Sequence, residues 1–328
     1  MEKLGISNRI RWIDSLKGFG MICVVLGHLS LGFYVEKYIY SFHMVLFFFI
    51  SGMLYSSKND ENIFVLIKKK AVSLLIPFLI WDMASFLVDV FLFHENLVDA
   101  IIKFLFLHGK ESWDAPIWFL LALFWTEILY NMLKRVNIPD WFILMVSLGL
   151  MPIMNKKDIY PFMINVIPIS IMFYIFGLSF KKFIQNDVEK SLKNKIMFGF
   201  AIVFILAAGL NDRISFTGAY FGNYLLFMIA GISGVVFISV LFEIYIKKNS
   251  LLEAIGKKNM FIMCIQYWIF TIIDIFSQHY FKISLWHYDS FLKAAILTVV
   301  TFAICFSMIK LNKKVIKLFK INNCHCSN

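Results

Sequence analysis

The chain has 328 residues, of which 60% are hydrophobic and only 16% are charged, and its mean hydropathy is +0.76. This composition excludes a water-soluble globular domain of this size and predicts an all-α, polytopic integral membrane protein. The net charge of +11 does not indicate a nucleic-acid partner, because the basic residues occur in short runs between apolar segments. We therefore expect contacts with membrane lipid and none with nucleic acid.

Windows of about 20 apolar residues predict about ten transmembrane helices. They fall near residues 12–33, 38–55, 71–93, 116–134, 141–154, 161–180, 196–210, 219–246, 260–279 and 291–310. The fifth and seventh windows are short, which is compatible with tilted or re-entrant segments. No linker or soluble domain interrupts the pattern, so residues 1–328 are predicted to form a single transmembrane domain with tails at 1–11 and 311–328.

Basic residues predict the orientation of these helices. If the N-terminus is cytoplasmic, 24 of the 32 Lys and Arg residues fall on the cytoplasmic side and eight fall outside. Because cytoplasmic loops of membrane proteins carry an excess of Lys and Arg, we expect both termini in the cytoplasm. The expected location of the chain is the plasma membrane, in a bacterial cell. An apolar stretch within the external segment 94–115 is predicted to lie in the membrane interface.

Two ionisable residues, Lys17 and His28, lie within the first predicted helix. Such groups cost about 2.5 kcal/mol or more at the bilayer centre, so a function is the default hypothesis. An eleven-residue step brings His28 to within about 20° of Lys17 on the helix surface and about 16 Å further along the axis. Lys17 is also compatible with a snorkelling side chain near Asp14, and His28 with a buried structural histidine. Spacing alone leaves these alternatives open.

A second histidine, His43, lies near the outer end of the second predicted helix. We expect it to approach His28 across the short connection between the two helices. Two histidines suggest a metal site, but no carboxylate or third ligand stands at ligand spacing nearby, so no metal is expected. An imidazole in this position is suited to proton transfer near neutral pH.

Other polar and aromatic residues in the apolar windows are weaker candidates. The carboxylates of Asp82 and Glu127 are placed to orient an imidazole or to receive the charge of Lys17, and structural pairing explains them equally well. Trp118 is compatible with a platform for a sugar ring or with the aromatic belt at the membrane interface.

Two segments near the N-terminus, WIDSLKGFGMICVVLGH and SFHMVLFFFISG, resemble the opening of the integral-membrane acyltransferase 3 family, in its branch of fucose O-acetylase-like and polysaccharide O-acetyltransferase proteins. That family has a basic residue, ten further residues and a histidine in its first helix; the basic residue is usually Arg, and Lys17 stands there in this chain. Supporting segments are SLLIPFLIW, APIWFLLALFWTEILY, IMFYIFGLSF and YFGNYLLFMIAGISGVVFI. In GKKNMFIMCIQYW, Gln266 takes a position where relatives often have a histidine.

The resemblance implies a membrane-bound O-acyltransferase, most often an O-acetyltransferase, that moves an acyl group from cytoplasmic acyl-CoA to a hydroxyl of a cell-surface or lipid-linked sugar. Acetyl-CoA is then the expected donor, Lys17 the cation that attracts it, and His28 the catalytic base or the acceptor of the acyl group in a covalent relay. His43 is expected to act with His28. The residues considered for substrate binding are Asp14, Asp82, Trp118, Glu127 and Gln266. A glycan transporter or flippase is the alternative, and a homo-oligomer is compatible with either function.

Overall fold

The computed structural model describes residues 11–29, 31–56, 62–106, 114–154, 161–186, 188–216, 220–284 and 290–324. The helices are α1 (Arg11–Gly27), α2 (Phe33–Met53), α3 (Ile63–Lys70), α4 (Ile76–Phe91), α5 (Leu97–Phe106), α6 (Trp118–Arg135), α7 (Asp140–Met154), α8 (Ile167–Gln185), α9 (Lys190–Leu210), α10 (Tyr224–Leu241), α11 (Ser250–Gly256), α12 (Asn259–Phe281) and α13 (Phe291–Cys324). Extended backbone pairs within these ranges only at an isolated bridge between Ser215 and Tyr220. The prediction of an all-α membrane protein is confirmed.

Seven helical segments in the described part of the chain are long and apolar enough to cross a membrane. They are Phe33–Met53, Ile63–Phe91, Pro161–Gln185, Lys190–Leu210, Tyr224–Ile246, Asn259–Phe281 and Phe291–Leu311. The other three predicted windows contain α1, α6 and α7, which have 17, 18 and 15 residues. A helix therefore occupies every predicted window, while the number of ten crossings stays a prediction.

The helix in the seventh predicted window is longer than the sequence predicts. Residues 196–210 were expected to form a short segment, whereas α9 begins at Lys190 and has 21 residues. The hydropathy window misses the first turns of α9 because they are rich in lysine. One of these lysines, Lys193, forms an ion pair with Glu243, with 2.8 Å between Nζ and Oε1, so its charge is neutralised inside the helical bundle.

Two glycines hold α2 against α8. A Cβ atom at Gly52 would lie 1.9 Å from the carbonyl oxygen of Tyr174, and a Cβ atom at Gly177 would lie 1.9 Å from the carbonyl oxygen of Phe49. Small residues of this kind let the backbones of membrane helices touch. The contact fixes α2, which carries the second predicted histidine.

A second close contact holds α1 against the short helix α11. Cβ atoms at Gly18 and Gly256 would lie about 2 Å from carbonyl oxygens of the facing helix, and the oxygen that faces Gly256 belongs to the buried Asp14. At the same end of α1, Arg11 Nε lies 2.9 Å from Glu253 Oε1. These contacts fix α1, which carries the predicted cation and imidazole.

Candidate active site

A cavity of about 460 Å³ lies among α1, α2, α6, α12 and the segment before α10. Its chemistry-bearing lining residues are His28, Tyr40, His43, Trp118, Arg213 and Tyr267. Both predicted histidines therefore line one space, which we call the histidine cavity. Its volume is within the range of roughly 300–1,000 Å³ that is typical of small-molecule sites.

A second cavity, of about 180 Å³, lies among the same four helices and contains Lys17. We call it the Lys17 cavity. Most of its wall is apolar, and Ser51 of α2 and Asn259 of α12 are the polar side chains that join Lys17 there. Its volume is below roughly 300 Å³, the lower end of the usual range for a whole small molecule.

The order of the lining residues along each helix shows that the two cavities are stacked. In α1, Lys17 and Met21 line the Lys17 cavity, whereas Val24 and, directly after the helix, His28 line the histidine cavity. The order is the same in α12, where Asn259 comes before the residues of the histidine cavity.

In α2 and α6 the order is reversed, since these helices run in the opposite direction. His43 and Met44 of α2 line the histidine cavity, and Phe47 one turn later lines the Lys17 cavity. In α6, Trp118 lines the former and Leu123 the latter. The two cavities therefore follow one another along a common axis, with the lysine at one end and the histidines at the other.

A backbone hydrogen bond fixes the protonation pattern of His43. Its Nδ1 lies 2.8 Å from the carbonyl oxygen of Ile39, and the side chain is 2% exposed. Because a carbonyl oxygen only accepts hydrogen bonds, Nδ1 must carry the hydrogen in this contact. In the neutral ring, Nε2 then holds the lone pair that can accept a proton.

His28 lies directly after the last residue of α1 and contacts Tyr267 of α12. The His28 Nδ1 atom and the Tyr267 hydroxyl are 3.3 Å apart, and the two rings meet edge to face with 5.1 Å between centroids. Tyr40 connects this position to α2, because its hydroxyl donates to the Gly27 carbonyl oxygen at 3.0 Å and its ring lies 4.9 Å from that of His43. Tyrosine side chains thus support both histidines.

Arg213 brings a cation to the wall of the histidine cavity. Its Nη2 lies 3.0 Å from Glu36 Oε2, and its guanidinium carbon lies 5.0 Å from the centroid of the Tyr40 ring. Glu36 is also held by the Leu31 amide, which donates to Oε1 at 3.1 Å. Arg213 was not identified from the sequence. The feature that could have pointed to it is that it belongs to the eight basic residues predicted to lie on the outer side of the membrane.

Tyr267 was also missed. It directly follows Gln266, the position at which the chain departs from its relatives. Gln266 itself is fully buried and lines neither cavity; its Nε2 donates to the Met263 carbonyl oxygen at 3.4 Å. The sequence therefore directed attention to Gln266 in α12, whereas the side chain that contacts His28 is that of the next residue, Tyr267.

The other predicted substrate-binding residues are dispersed. Trp118 lines the histidine cavity and stacks on Phe216, with 5.6 Å between ring centroids. Glu127 lies outside both cavities and forms an ion pair with Lys70, with 2.6 Å between Oε2 and Nζ. Asp82 lines a separate small pocket formed by α4 and α5. Asp14 lies at the contact between α1 and α11.

A buried carboxyl group, Asp114, connects the start of α6 to α12. The Trp268 indole donates to Asp114 Oδ2 at 3.2 Å. Burial raises the pKa of Asp114 well above its usual range; the indole hydrogen bond opposes the shift, and the nearby charge of Asp82 adds to it. This contact steadies two of the four helices that line the cavities.

The donor set of the site does not resemble a metal centre. Among the residues that the structure describes, no group of three or more His, Cys, Asp and Glu side chains is placed to hold a metal ion. The described residues that line the histidine cavity include two imidazoles and no Asp, Glu or Cys side chain. The arrangement suits proton transfer, with the cation of Lys17 at the far end of the stack.

Comparisons with known proteins show which family the chain belongs to. The nodulation protein NolL of Sinorhizobium fredii is 30% identical over 219 residues, which cover 60% of this chain and 56% of that protein. The match thus spans little more than half of the relative's length. No solved structure matches the chain. A family model described as an acyltransferase domain matches residues 10–310. The chain therefore belongs to the acyltransferase 3 family of integral-membrane proteins.

Proposed function

We propose that this protein is a membrane-bound O-acetyltransferase that moves the acyl group of acyl-CoA to a hydroxyl group of a cell-surface or lipid-linked sugar. The observation that carries the proposal is the stack of a cavity with a cation and a cavity with two imidazoles along one axis. Membership of the acyltransferase 3 family supports the reaction class. The excess of basic residues on the Lys17 side supports a cytoplasmic donor.

The Lys17 cavity suits the donor. Coenzyme A is a multiply charged anion, and a lysine at the entrance of an apolar channel attracts anions and raises their local concentration. The cavity of about 180 Å³ is too small for a nucleotide but has room for a slender thioester arm. The nucleotide part of the donor then stays on the Lys17 side, and the acyl group points towards the histidine cavity.

The histidine cavity suits the chemical step. The sugar hydroxyl oxygen attacks the thioester carbonyl carbon, so that a carbon–oxygen bond forms and the carbon–sulfur bond breaks. The hydroxyl proton passes to the neutral imidazole of His28, which returns it to the departing thiolate. The Nε2 lone pair of His43 accepts a hydrogen bond from a neighbouring hydroxyl of the sugar and so holds the acceptor in place. A closed site reduces competing hydrolysis of the thioester.

Aromatic and polar side chains of the histidine cavity suit a sugar. The Trp118 ring offers an apolar face, and Arg213, Ser215 and Tyr220 of the segment before α10 offer hydrogen-bonding groups. A few polar groups placed around an otherwise apolar pocket are typical of small-molecule sites. We therefore assign this end of the stack to the acceptor.

The proposal is tested with purified protein in proteoliposomes. Acetyl-CoA with a labelled acetyl group is supplied on the Lys17 side and a mixture of bacterial glycans on the other side, and the glycans are analysed by mass spectrometry. We expect an acetyl mass increase that requires both the donor and the protein. Movement of glycan across the bilayer without donor, and with no mass change, would instead support the flippase alternative and contradict acyl transfer.

A further inference from the structure

One residue, Met263, lines both cavities. It lies in α12, is 7% exposed and belongs to the main hydrophobic core. Met21 and Phe47 lie on the side of Met263 that belongs to the Lys17 cavity. Val24 and Met44 lie on the side that belongs to the histidine cavity. The boundary between the cavities therefore lies at the level of Met263.

The boundary is thin. In α1 the lining changes from one cavity to the other between Met21 and Val24, and in α2 between Phe47 and Met44. Each change occurs within three residues, which correspond to about 5 Å of helix. A side chain of ordinary length is thus sufficient to close or open the connection.

Methionine is well suited to this place. It is unbranched, has three rotatable bonds beyond the backbone and fills irregular gaps by changing its conformation. Because Met263 is the side chain shared by both walls, a change of its rotamer alters the opening without moving a helix. A β-branched or aromatic residue would be stiffer and would fix the width of the passage.

We propose that Met263 is the gate between a donor compartment and a transfer compartment and that it restricts the acyl group to narrow, unbranched chains. This inference rests on the proposed acyl transfer. The acyl end of the thioester must pass Met263 to reach His28, so an acyl group that is wider than the thioester arm is held back at this level. The substrate class that follows is an acyl-CoA with an unbranched acyl group, such as acetyl.

Selectivity for the width of the acyl group tests the gate directly. Met263→Ala is expected to raise the ratio of isobutyryl transfer to acetyl transfer by ~10-fold or more, since a passage that gains room for a branched group discriminates less against it. Met263→Phe is expected to lower transfer from both donors. Met172, which is 2% exposed and lines neither cavity, provides the matched controls Met172→Ala and Met172→Phe. An unchanged donor ratio in Met263→Ala would overturn the gate.

A second measurement does not depend on acyl transfer. The five native cysteines are replaced, Met44→Cys is introduced into the histidine cavity, and a small thiol reagent is supplied on the Lys17 side. Adding Met263→Phe should slow labelling from that side and leave labelling from the opposite side unchanged. Equal labelling rates with and without Met263→Phe would contradict the gate, whereas a parent protein without acyl transfer would contradict the proposed function.

Discussion

The two cavities differ in size and chemistry although the same four helices line both. The Lys17 cavity is small, and its polar side chains are one lysine, one serine and one asparagine. The histidine cavity is more than twice as large and combines two imidazoles, an arginine and tyrosine hydroxyls. The side chains that these helices present to the cavities therefore change, within a few turns, from a mostly apolar set to one that includes imidazole and tyrosine groups. The difference supports the proposal that the stack receives an anionic arm at one end and a polyhydroxy acceptor at the other.

The pairing of charges outside the cavities strengthens this comparison. Ionisable groups in a bilayer are costly unless they are paired or face a polar space. Glu127 is paired with Lys70, and Glu243 with Lys193, so these charges have a structural explanation. His28 and His43 instead face a cavity that is large enough for a substrate.

The largest expected effect is at the histidine end of the stack. His28→Ala should lower acyl transfer by about 10²–10⁴-fold, which is the usual contribution of a positioned general base. The measurement is acyl transfer by matched amounts of folded parent and variant in proteoliposomes. His279→Ala is the control, because His279 is exposed on α12 and lines neither cavity. Near-parental turnover by His28→Ala would leave a structural role for this imidazole.

His43 tests whether the two rings act together. If His43 only holds a neighbouring hydroxyl of the sugar, His43→Ala should raise the KM for the sugar and have a smaller effect on kcat than His28→Ala. If the rings act as a unit, the double variant should be no slower than the slower single variant, since effects of residues that act together are not additive. Additive losses in the double variant would contradict a joint role.

The sequence predicts the part of the site that depends on local spacing. Lys17 and His28 lie on one helix, so their separation follows from helical periodicity, and His43 lies on the next helix, so its approach follows from a short connection. Hydropathy likewise places a helix in each of the ten windows. These features can be inferred from residues that are close to one another in the sequence.

The remainder depends on packing between distant parts of the chain. Tyr267 reaches His28 from 239 positions away, and Arg213 reaches Glu36 from 177 positions away. No periodicity predicts such contacts from one sequence. Glu127 shows the same difficulty, because its partner Lys70 lies on a separate helix. The sequence therefore predicts the axis of the site but not the residues that complete its wall.

A smaller effect is expected at the Lys17 end. Lys17→Ala should raise the KM for acyl-CoA by ~10-fold and change kcat less, because a cation at the mouth of the channel acts on donor capture. Lys17→Arg should keep part of the activity, since it retains the charge. Lys68→Ala removes the same charge from an exposed position on α3 and should have little effect. If the parent and both Lys17 variants bound the donor equally in a purified-protein titration, Lys17 would have no role in donor capture and would be a snorkelling residue only.

The smallest expected effect concerns stability, because both cavities depend on the position of α2. Gly52→Ala places a Cβ atom 1.9 Å from the Tyr174 carbonyl oxygen, so α2 and α8 must separate. Overpacking of this kind costs about 1–3 kcal/mol. The measurement is thermal unfolding of the purified protein in detergent, where we expect a lower midpoint for Gly52→Ala.

Gly149 in α7 provides the control for this substitution. A Cβ atom there meets no atom within 4 Å, so Gly149→Ala should leave the midpoint unchanged or raise it, because alanine favours a helix over glycine by about 1 kcal/mol. Equal midpoints for the two alanine variants would show that the α2–α8 contact adapts without cost. If Gly52→Ala lowers acyl transfer more than its stability loss explains, the two cavities depend on the α2–α8 distance as well as on the residues that line them.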